Sequence, residues 1–353
     1  MRLLLTCILE QNGMLTHVWD LVQQLKPHGY DVHLAVMKTE KPFMETAKLR
    51  DPQLTASVMT AVTQIPCQFY ETTAELDSLV KHWNIGLIHA QSFLTFSSAC
   101  RVSQMRRIPL VLTVHGVLKQ IRPYVGALNH AVRIIAVGPA QARSLEAVSP
   151  GKVRIIANGV DTERFQPPGA DSGSDGPLRL LWFGRTAGRM TAGAKALDQA
   201  IPLLTKKGMD LEAKVLGEAA GVTFRNMEVV GWRPNPIPWL QWSQVAAGHG
   251  RSLREAMACG NAGILLAANH GGLVTKEWFG KGAISLDAFP EYRWPEADPE
   301  TIAKELECLN RDRGRLHRLR TEAREIAEQH FDVRKMVGKT LNLYREAVSA
   351  AAD

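Results

Sequence analysis

The sequence predicts an α/β protein built from two domains, each with a parallel sheet. The chain has 353 residues, which is more than one hydrophobic core usually serves. Short apolar runs alternate along it with stretches of helical spacing, and this alternation is typical of parallel sheets covered by helices on both faces. Residues 166–177, composed almost only of Pro, Gly, Ser, Asp and Ala, divide the alternation into two halves.

The first half predicts a domain of residues 1–165. Its apolar run Leu3–Leu9 is too short for a signal segment or a bilayer span and predicts the first strand. A turn at Gln11–Gly13 follows, and Val18, Leu21 and Leu25 then recur at helical spacing. The further elements predicted here are strands at Asp31–Val36, Gly86–Ala90, Pro109–Val114, Val132–Val137 and Val153–Ala157, and helices at Ser98–Arg106 and Pro139–Val148.

The second half, residues 178–332, repeats the alternation after the linker at 166–177. The predicted strands are Leu178–Phe183, Leu211–Leu216, Val229–Val230, Val245–Ala247, Ala262–Ala267 and Ala283–Leu286. The tail from Thr301 is charged and helical, and residues 333–350 carry apolar side chains at helical spacing. Because open parallel sheets bind ligands beyond the carboxyl ends of their strands, we expect the functional loops to line a cleft between the two domains.

The composition is that of a globular enzyme with an anionic partner. It is 45% hydrophobic and 22% charged, which excludes a disordered or fibrous chain. The formal charge of +7 favours a nucleotide, a membrane surface or a nucleic acid without choosing among them. The five cysteines include no Cys-x-x-Cys pair, so neither a disulfide framework nor a zinc site is predicted. We expect a cytoplasmic protein, and peripheral membrane contact is left open.

The most informative loop runs from Gly248 to Gly260. Its glycines at 248 and 250 allow a close backbone approach, and Ser252 suits the N-cap of a helix that Gly260 ends. Such a helix N-terminus is an anion site for a diphosphate, with His249 and Arg251 beside it. The alternative is structural, since Ser252 and Glu255 also fit a capping box.

A second loop follows the strand Leu178–Phe183. It begins Gly184-Arg185 and continues through a glycine-rich, basic stretch to Lys195. Cations at the mouth of a parallel strand are placed to neutralise the charge of a leaving diphosphate. Arg189 lies in the same stretch and fits either role, and the alternative is that these side chains are simply solvated.

The first half offers two weaker candidates. Gly13 lies between the first strand and its helix, as many such turns do. His115 follows the strand Pro109–Val114, where a structural histidine and a sugar contact are equally compatible with the pattern. His89 ends the preceding strand, and there a structural role is favoured.

Several catalytic motifs are absent from the sequence. It contains no Asp-x-Asp, no His-Glu-x-x-His and no His/Cys cluster, so we expect no metal and no other cofactor. It also lacks Gly-x-Gly-x-x-Gly after a strand, the P-loop motif and Gly-x-Ser-x-Gly, which disfavours dehydrogenases, P-loop enzymes and serine hydrolases.

Seven segments of the chain carry a combined pattern: NGMLTHVWDLVQQLKPHGYDVHLAV, LIHAQSF, IPLVLTVHG, IIAVGPAQARSL, VRIIANGVDTERFQP, LLWFGR, and REAMACG followed by HGG. In this order and spacing they resemble the retaining glycosyltransferases of family 4, which have the GT-B fold. The resemblance spans nearly the whole chain. It implies a hexosyl donor such as a UDP- or GDP-sugar and a last helix, residues 333–353, that crosses back onto the N-terminal domain.

The resemblance also implies roles for single residues. Gly13 corresponds to the glycine near the donor phosphates and His115 to the histidine near the transferred sugar. Arg185 and Lys195 correspond to the basic pair on the diphosphate. Glu255 corresponds to the second glutamate of a Glu-x7-Glu motif, which holds the ribose hydroxyls.

The chain departs from the family pattern at three points. Ala247 occupies the position of the first glutamate, so the carboxylate that usually contacts the donor sugar is missing. His249 replaces the usual phenylalanine and offers a polar contact instead. The interval from Arg185 to Lys195 is also longer than is common in the family.

The function predicted is retaining, metal-independent transfer of a hexosyl group from a nucleotide-diphosphate sugar to a hydroxyl acceptor on a glycan, a lipid-linked molecule or a small molecule. A nucleotide-sugar epimerase or hydrolase of the same fold and a non-catalytic transferase subunit are the alternatives. No nucleic-acid partner is expected, because the basic cluster Arg311–Arg320 is more typical of a solvated helix face.

Overall fold

The computed structural model describes residues 1–8, 13–38, 65–118, 120–146, 148–169, 176–280, 286 and 294–350. The chain forms two compact units. One comprises Met1–Gly159 and Val333–Asp353, and the other comprises Val160–Asp332.

The first unit contains one parallel sheet with strand order β3-β2-β1-β4-β5-β6-β7. Its strands are β1 Arg2–Cys7, β2 Asp31–Met37, β3 Cys67–Tyr70, β4 Leu87–Ala90, β5 Leu110–Val114, β6 Arg133–Ala136 and β7 Val153–Ile155. Its helices are α1 Gly13–Leu25, α2 Thr73–His82, α3 Phe93–Arg106, α4 Val125–His130 and α5 Pro139–Arg143, with short 3₁₀ turns at Lys26–His28 and Arg122–Tyr124.

The side chains of β1 show how this sheet is covered. Successive residues of a strand point to opposite faces. Leu3 and Leu5 pack in one core with helix α1 and the last helix of the chain, whereas Leu4 packs in the other core with α2 and α3. That last helix, Val333–Ser349, therefore belongs to the first unit, as the fold prediction requires.

The second unit has the strand order β10-β9-β8-β11-β12-β13. Its strands are β8 Leu178–Phe183, β9 Leu211–Leu216, β10 Glu228–Gly231, β11 Val245–Gly248, β12 Ala262–Leu266 and β13 His270–Leu273. Its helices are α6 Met190–Thr205, α7 Ile237–Trp242, α8 Gly250–Ala258, α9 Glu277–Gly280, α10 Pro299–Arg311 and α11 Arg313–Ile326, and a π-helical turn occupies Ala327–Phe331. The helix Val333–Ser349 is α12.

The predicted class of two parallel α/β sheets is confirmed, with two local differences. β13 pairs antiparallel with β12, and the sequence does not predict it because two of its residues are glycines. Val160 and Phe165, on the N-terminal side of the predicted linker, lie in the core of the second unit. Residues 170–175 of that linker and all of the predicted strand Ala283–Leu286 except Leu286 lie outside the described residues.

Candidate active site

The strand order of the second unit creates a switch point between β8 and β11. The chain leaves β8 toward β9 and later returns to the other side of β8 as β11. The carboxyl ends of these two strands lie side by side, with Phe183 opposite Gly248. Open α/β sheets bind their ligands at such a point.

Glycines keep the strand ends at this point closely packed. A Cβ atom on Gly217, after β9, would lie 2.4 Å from the Gly184 carbonyl oxygen. A Cβ atom on Gly248 would lie 2.7 Å from the Phe183 carbonyl oxygen. Gly184 and Gly217 also have φ angles of 138° and 134°, which side-chain-bearing residues rarely adopt. The carboxyl ends of these strands are therefore closely packed backbone, and a side chain at Gly217 or Gly248 would force them apart.

Helix α8 begins at this edge, but its N-cap is not the predicted one. The N-cap is His249, in an extended conformation and without a side-chain capping hydrogen bond, and Gly250 follows with φ 57°. Ser252 lies inside the first turn, so the predicted N-cap at Ser252 and the capping box are wrong. The left-handed Gly250 lets the helix begin earlier than the serine pattern indicates. Its N-terminus still carries the partial positive charge that favours an anion.

Glu255 instead pairs with Arg251 one turn earlier in α8. The Arg251 Nε donates to the Glu255 Oε1 at 2.7 Å, and the two side chains are 11% and 10% exposed. The pair is largely shielded from water, so its electrostatic interaction is stronger than that of a surface pair. It holds the Glu255 carboxylate in a fixed position on α8, near the switch point.

The predicted cations lie in the loop and helix that follow β8. Arg185 comes directly after Gly184, Arg189 is the N-cap residue of α6, and Lys195 lies in the second turn of α6. All three side chains are exposed, and none has a hydrogen bond or ion pair with another described residue. Exposed and unpaired, they are available to an anionic ligand.

Close packing fixes the helix that carries Lys195. Gly193 brings the α6 backbone so near Ala267 that a Cβ atom would lie 1.9 Å from the Ala267 carbonyl oxygen. The buried Thr186 hydroxyl donates to the Ala220 carbonyl oxygen at 2.7 Å and so joins the loop after β8 to the loop after β9.

In the first unit, His115 follows β5 and contacts two polar side chains. Its Nε2 lies 3.0 Å from Gln91 Oε1, and its ring centroid lies 5.0 Å from that of His17 on α1. Burial lowers the pKa of His115 to about 3. The imidazole is therefore neutral at neutral pH, and it can orient a ligand by hydrogen bonding but supplies no positive charge.

His89, at the end of β4, is completely buried. Its Nδ1 lies 2.5 Å from the Tyr344 hydroxyl of α12, and its Nε2 lies 2.7 Å from the Thr113 Oγ1. Burial, with a smaller contribution from His115, lowers the pKa of His89 to about 3. A neutral imidazole with both nitrogens hydrogen-bonded inside the sheet has a structural role.

The predicted site residues divide between the two units. The second unit holds Gly184, Arg185, Arg189, Lys195, His249, Gly250, Arg251, Ser252 and Glu255, and the first holds His115 and Gly13, which is the first residue of α1. Sequence reasoning missed Gly217, Gln91 and Tyr344. A glycine after β9 was a detectable signal, whereas the contact of Tyr344 with His89 joins residues far apart in the chain.

The described residues lack two features, a cluster of metal ligands and a membrane-spanning helix. Within these ranges no three His, Cys, Asp or Glu side chains are grouped so that they could hold a metal ion. No helix in the described part of the chain combines the length and the apolar character needed to cross a membrane.

Residues 11–164 match the model of Glycosyltransferase Family 4. No curated protein sequence matches the chain. Among solved structures, Anabaena HepE in complex with UDP is similar with a TM-score of 0.73 at 16% identity, over 98% of this chain and 99% of that one. A glycosyltransferase from Rickettsia africae has a TM-score of 0.72 at 14% identity, over 98% of both chains. Sucrose-phosphate synthase from Thermosynechococcus elongatus has a TM-score of 0.66 at 15% identity, over 99% and 100%.

These matches confirm the resemblance found in the sequence motifs. The solved structures cover nearly the whole chain and show its fold, and the family model covers most of the first unit. The chain has the GT-B fold of these glycosyltransferases, and its residues 11–164 match the model of glycosyltransferase family 4.

Proposed function

We propose that this protein transfers a hexosyl group from a nucleotide-diphosphate sugar to an acceptor hydroxyl, with retention of the anomeric configuration and without a metal ion. One observation carries the proposal. Helix α8 starts at the carboxyl end of β11, beside the carboxyl end of β8. The segment that follows β8 carries the three cations Arg185, Arg189 and Lys195, which have no ion pair with another described residue. This arrangement suits a diphosphate.

The electrostatics of this edge suit the departure of a nucleoside diphosphate. When the glycosidic bond to the phosphate breaks, negative charge accumulates on the leaving oxygen. Arg185, Lys195 and the N-terminus of α8 are placed to stabilise that charge, which lowers the barrier because the interaction strengthens in the transition state. The acceptor hydroxyl attacks on the face that the diphosphate leaves, and its proton passes to that phosphate.

The remaining predicted residues would hold the donor. Glu255, fixed by Arg251, is proposed to accept hydrogen bonds from the ribose hydroxyls. Gly13 at the start of α1 would contact the phosphates, and neutral His115 would orient the transferred sugar. HepE has been determined with UDP and with UDP-glucose, which supports a uridine donor here.

The missing carboxylate gives the main alternative. Ala247 is completely buried in β11, where the family pattern has a glutamate near the donor sugar. This observation favours a non-catalytic subunit as the second candidate. In the proposed enzyme, His249 at the N-cap of α8 would supply the polar sugar contact instead.

A thermal-shift panel of UDP- and GDP-sugars tests donor binding first. A ligand at about one hundred times its Kd stabilises the folded state by about 2.7 kcal/mol, which is a clear rise in Tm. We expect one nucleotide sugar to give that rise and then to be consumed with an acceptor, with NMR showing a retained anomeric configuration.

Other outcomes would point to the alternatives. Consumption of the donor without any acceptor would favour an epimerase or hydrolase. Absence of both binding and turnover across the panel would contradict the proposal and favour the non-catalytic subunit. An inverted product would leave the transferase standing but overturn the retaining mechanism.

A further inference from the structure

Gln91 lies between two imidazoles of the first unit, of which His89 is completely buried and His115 is half-buried. It directly follows β4 and is 1% exposed. Its Oε1 is 3.0 Å from the His115 Nε2, while its Nε2 is 3.1 Å from both ring nitrogens of His89. Gln91 therefore contacts both His115, which corresponds to the sugar-binding histidine of the family, and His89, which has a structural role.

The two equal distances show where the Gln91 amide lies relative to His89. The two ring nitrogens flank one carbon, so an atom 3.1 Å from both cannot lie in the ring plane without colliding with that carbon. The amide nitrogen must lie over the ring face. The in-plane positions belong to Tyr344, at Nδ1, and Thr113, at Nε2.

This placement determines which way the Gln91 amide points, and hence which ring nitrogen of His115 carries the proton. An N–H group is attracted to the electron-rich face of an aromatic ring, whereas a carbonyl oxygen there is repelled. The Gln91 nitrogen thus faces His89, and its oxygen faces His115. An amide oxygen only accepts hydrogen bonds, so the His115 Nε2 must donate and its Nδ1 must carry the lone pair.

We propose that Gln91 is a positioning residue that holds His115 as the Nε2–H tautomer and so presents the Nδ1 lone pair as a hydrogen-bond acceptor. This role in transfer rests on the proposed function. The Nδ1 is shielded from solvent and has no hydrogen-bond partner among the described residues. A hydroxyl of the bound sugar would satisfy it once donor binding displaces the side chains that shield it.

The surroundings of Gln91 and His115 preserve the arrangement. Two titratable groups of the described residues lie near His115, namely His17 on α1 and His89 on β4. His89 is held by Thr113 on β5 as well as by Tyr344 from α12, so the ring on which the Gln91 amide rests keeps one hydrogen bond when the other is removed. Gln141 on α5 donates from its Nε2 to the backbone carbonyl oxygen of His115 at 3.5 Å.

The tautomer can be measured without turnover. The full-length protein is labelled with ¹⁵N-histidine, and long-range ¹H–¹⁵N spectra at pH 7.5 are assigned for His115 by comparison with His115→Gln. We expect a protonated Nε2 and an unprotonated Nδ1. In Gln91→Leu, which removes the acceptor, both tautomers should appear. In Gln91→Glu, which restores an acceptor, the Nε2–H signature should return.

Tyr344→Phe is the matched control, because it removes one hydrogen bond from the same network but leaves Gln91 and His115 in contact. It should lower Tm while the His115 spectrum stays as in the parent. A protonated Nδ1 in the parent, or an unchanged His115 spectrum in Gln91→Leu, would overturn the assignment of the tautomer.

Kinetics then test the role in transfer. Gln91→Leu should reduce kcat by roughly tenfold to a hundredfold, because a misoriented contact acts on the chemical step, while the KM for the donor changes little. Gln91→Glu should recover part of kcat. If the spectra are as expected and the parent transfers no sugar, the proposed function fails and the tautomer assignment stands. If the parent is active and Gln91→Leu has parental kcat, the positioning role is refuted.

Discussion

Replacing Gly193 by alanine should destabilise the protein, although alanine is the better helix former. Gly→Ala in an exposed helix interior normally stabilises by about 1 kcal/mol. Here the new Cβ would lie 1.9 Å from the Ala267 carbonyl oxygen and 2.9 Å from its carbon. Restoring ordinary contact would require α6 to move by roughly 1.5 Å, since interiors are close-packed. Forced overpacking costs about 1–3 kcal/mol. After the gain of about 1 kcal/mol from helix propensity is subtracted, we expect a net loss of about 1 kcal/mol.

The same displacement should impair turnover. Lys195 lies two positions beyond Gly193, and Arg189 is the N-cap of α6, so both cations move with the helix. A misplacement of about 1 Å can cost about a hundredfold in rate. We therefore expect Gly193→Ala to lose activity even at temperatures where the protein remains folded.

Gly338→Ala provides the matched control for this prediction. Gly338 is an exposed glycine inside α12, and no atom lies within 4 Å of a Cβ added there. This variant should gain up to about 1 kcal/mol and keep parental kcat. Urea unfolding and steady-state kinetics of both variants measure the difference. A Gly193→Ala protein as stable and active as Gly338→Ala would refute the close packing of α6 against Ala267.

Three further predictions concern binding, metals and pH. Glu255→Gln should weaken nucleotide-sugar binding by roughly tenfold to a hundredfold, the cost of losing hydrogen bonds to a charged group; unchanged titration calorimetry together with a lowered Tm would assign Glu255 a purely structural role. EDTA should leave turnover unchanged, and a loss that magnesium or manganese restores would contradict this. The pKa of His89 is about 3 in the folded state, below the value near 6.5 in the unfolded state. Acid therefore protonates the unfolded state first, and the contribution of His89 to the free energy of unfolding, fully present above pH 6.5, falls by about 2 kcal/mol by pH 5. Urea unfolding should then show less acid destabilisation in His89→Gln than in the parent, and an equal pH dependence would contradict the assignment.

The strands were predictable because their apolar runs are buried on both faces of a sheet. Leu3, Leu4 and Leu5 are all completely buried, and no polar residue interrupts them. The second unit resumes the same pattern at Leu178, after the polar linker. β13 escaped prediction because its stability comes from pairing with β12 and not from the propensity of its own residues.

The start of α8 shows where local patterns fail. A serine three positions before a glutamate is the signature of a capping box, yet the left-handed Gly250 lets the helix begin ahead of Ser252, and Glu255 binds Arg251. The network of His115, Gln91 and His89 was invisible for a different reason. It depends on side chains from separate strands and from a helix at the far end of the chain, and such contacts leave no spacing signal.

The most direct test of the central claim is the kinetic comparison of Arg185→Ala, Lys195→Ala and Arg189→Ala with the best donor. If Arg185 and Lys195 stabilise charge on the leaving diphosphate, either substitution should reduce kcat by about a hundredfold or more, as well as weakening donor affinity. Arg189→Ala should remain close to the parent. If Arg189→Ala loses kcat while Lys195→Ala keeps it, the second cation on the diphosphate is Arg189 and the mechanism is unchanged. Parental kcat in all three variants would contradict electrostatic assistance to the leaving group, and with it the assignment of this edge of the sheet as the transfer site.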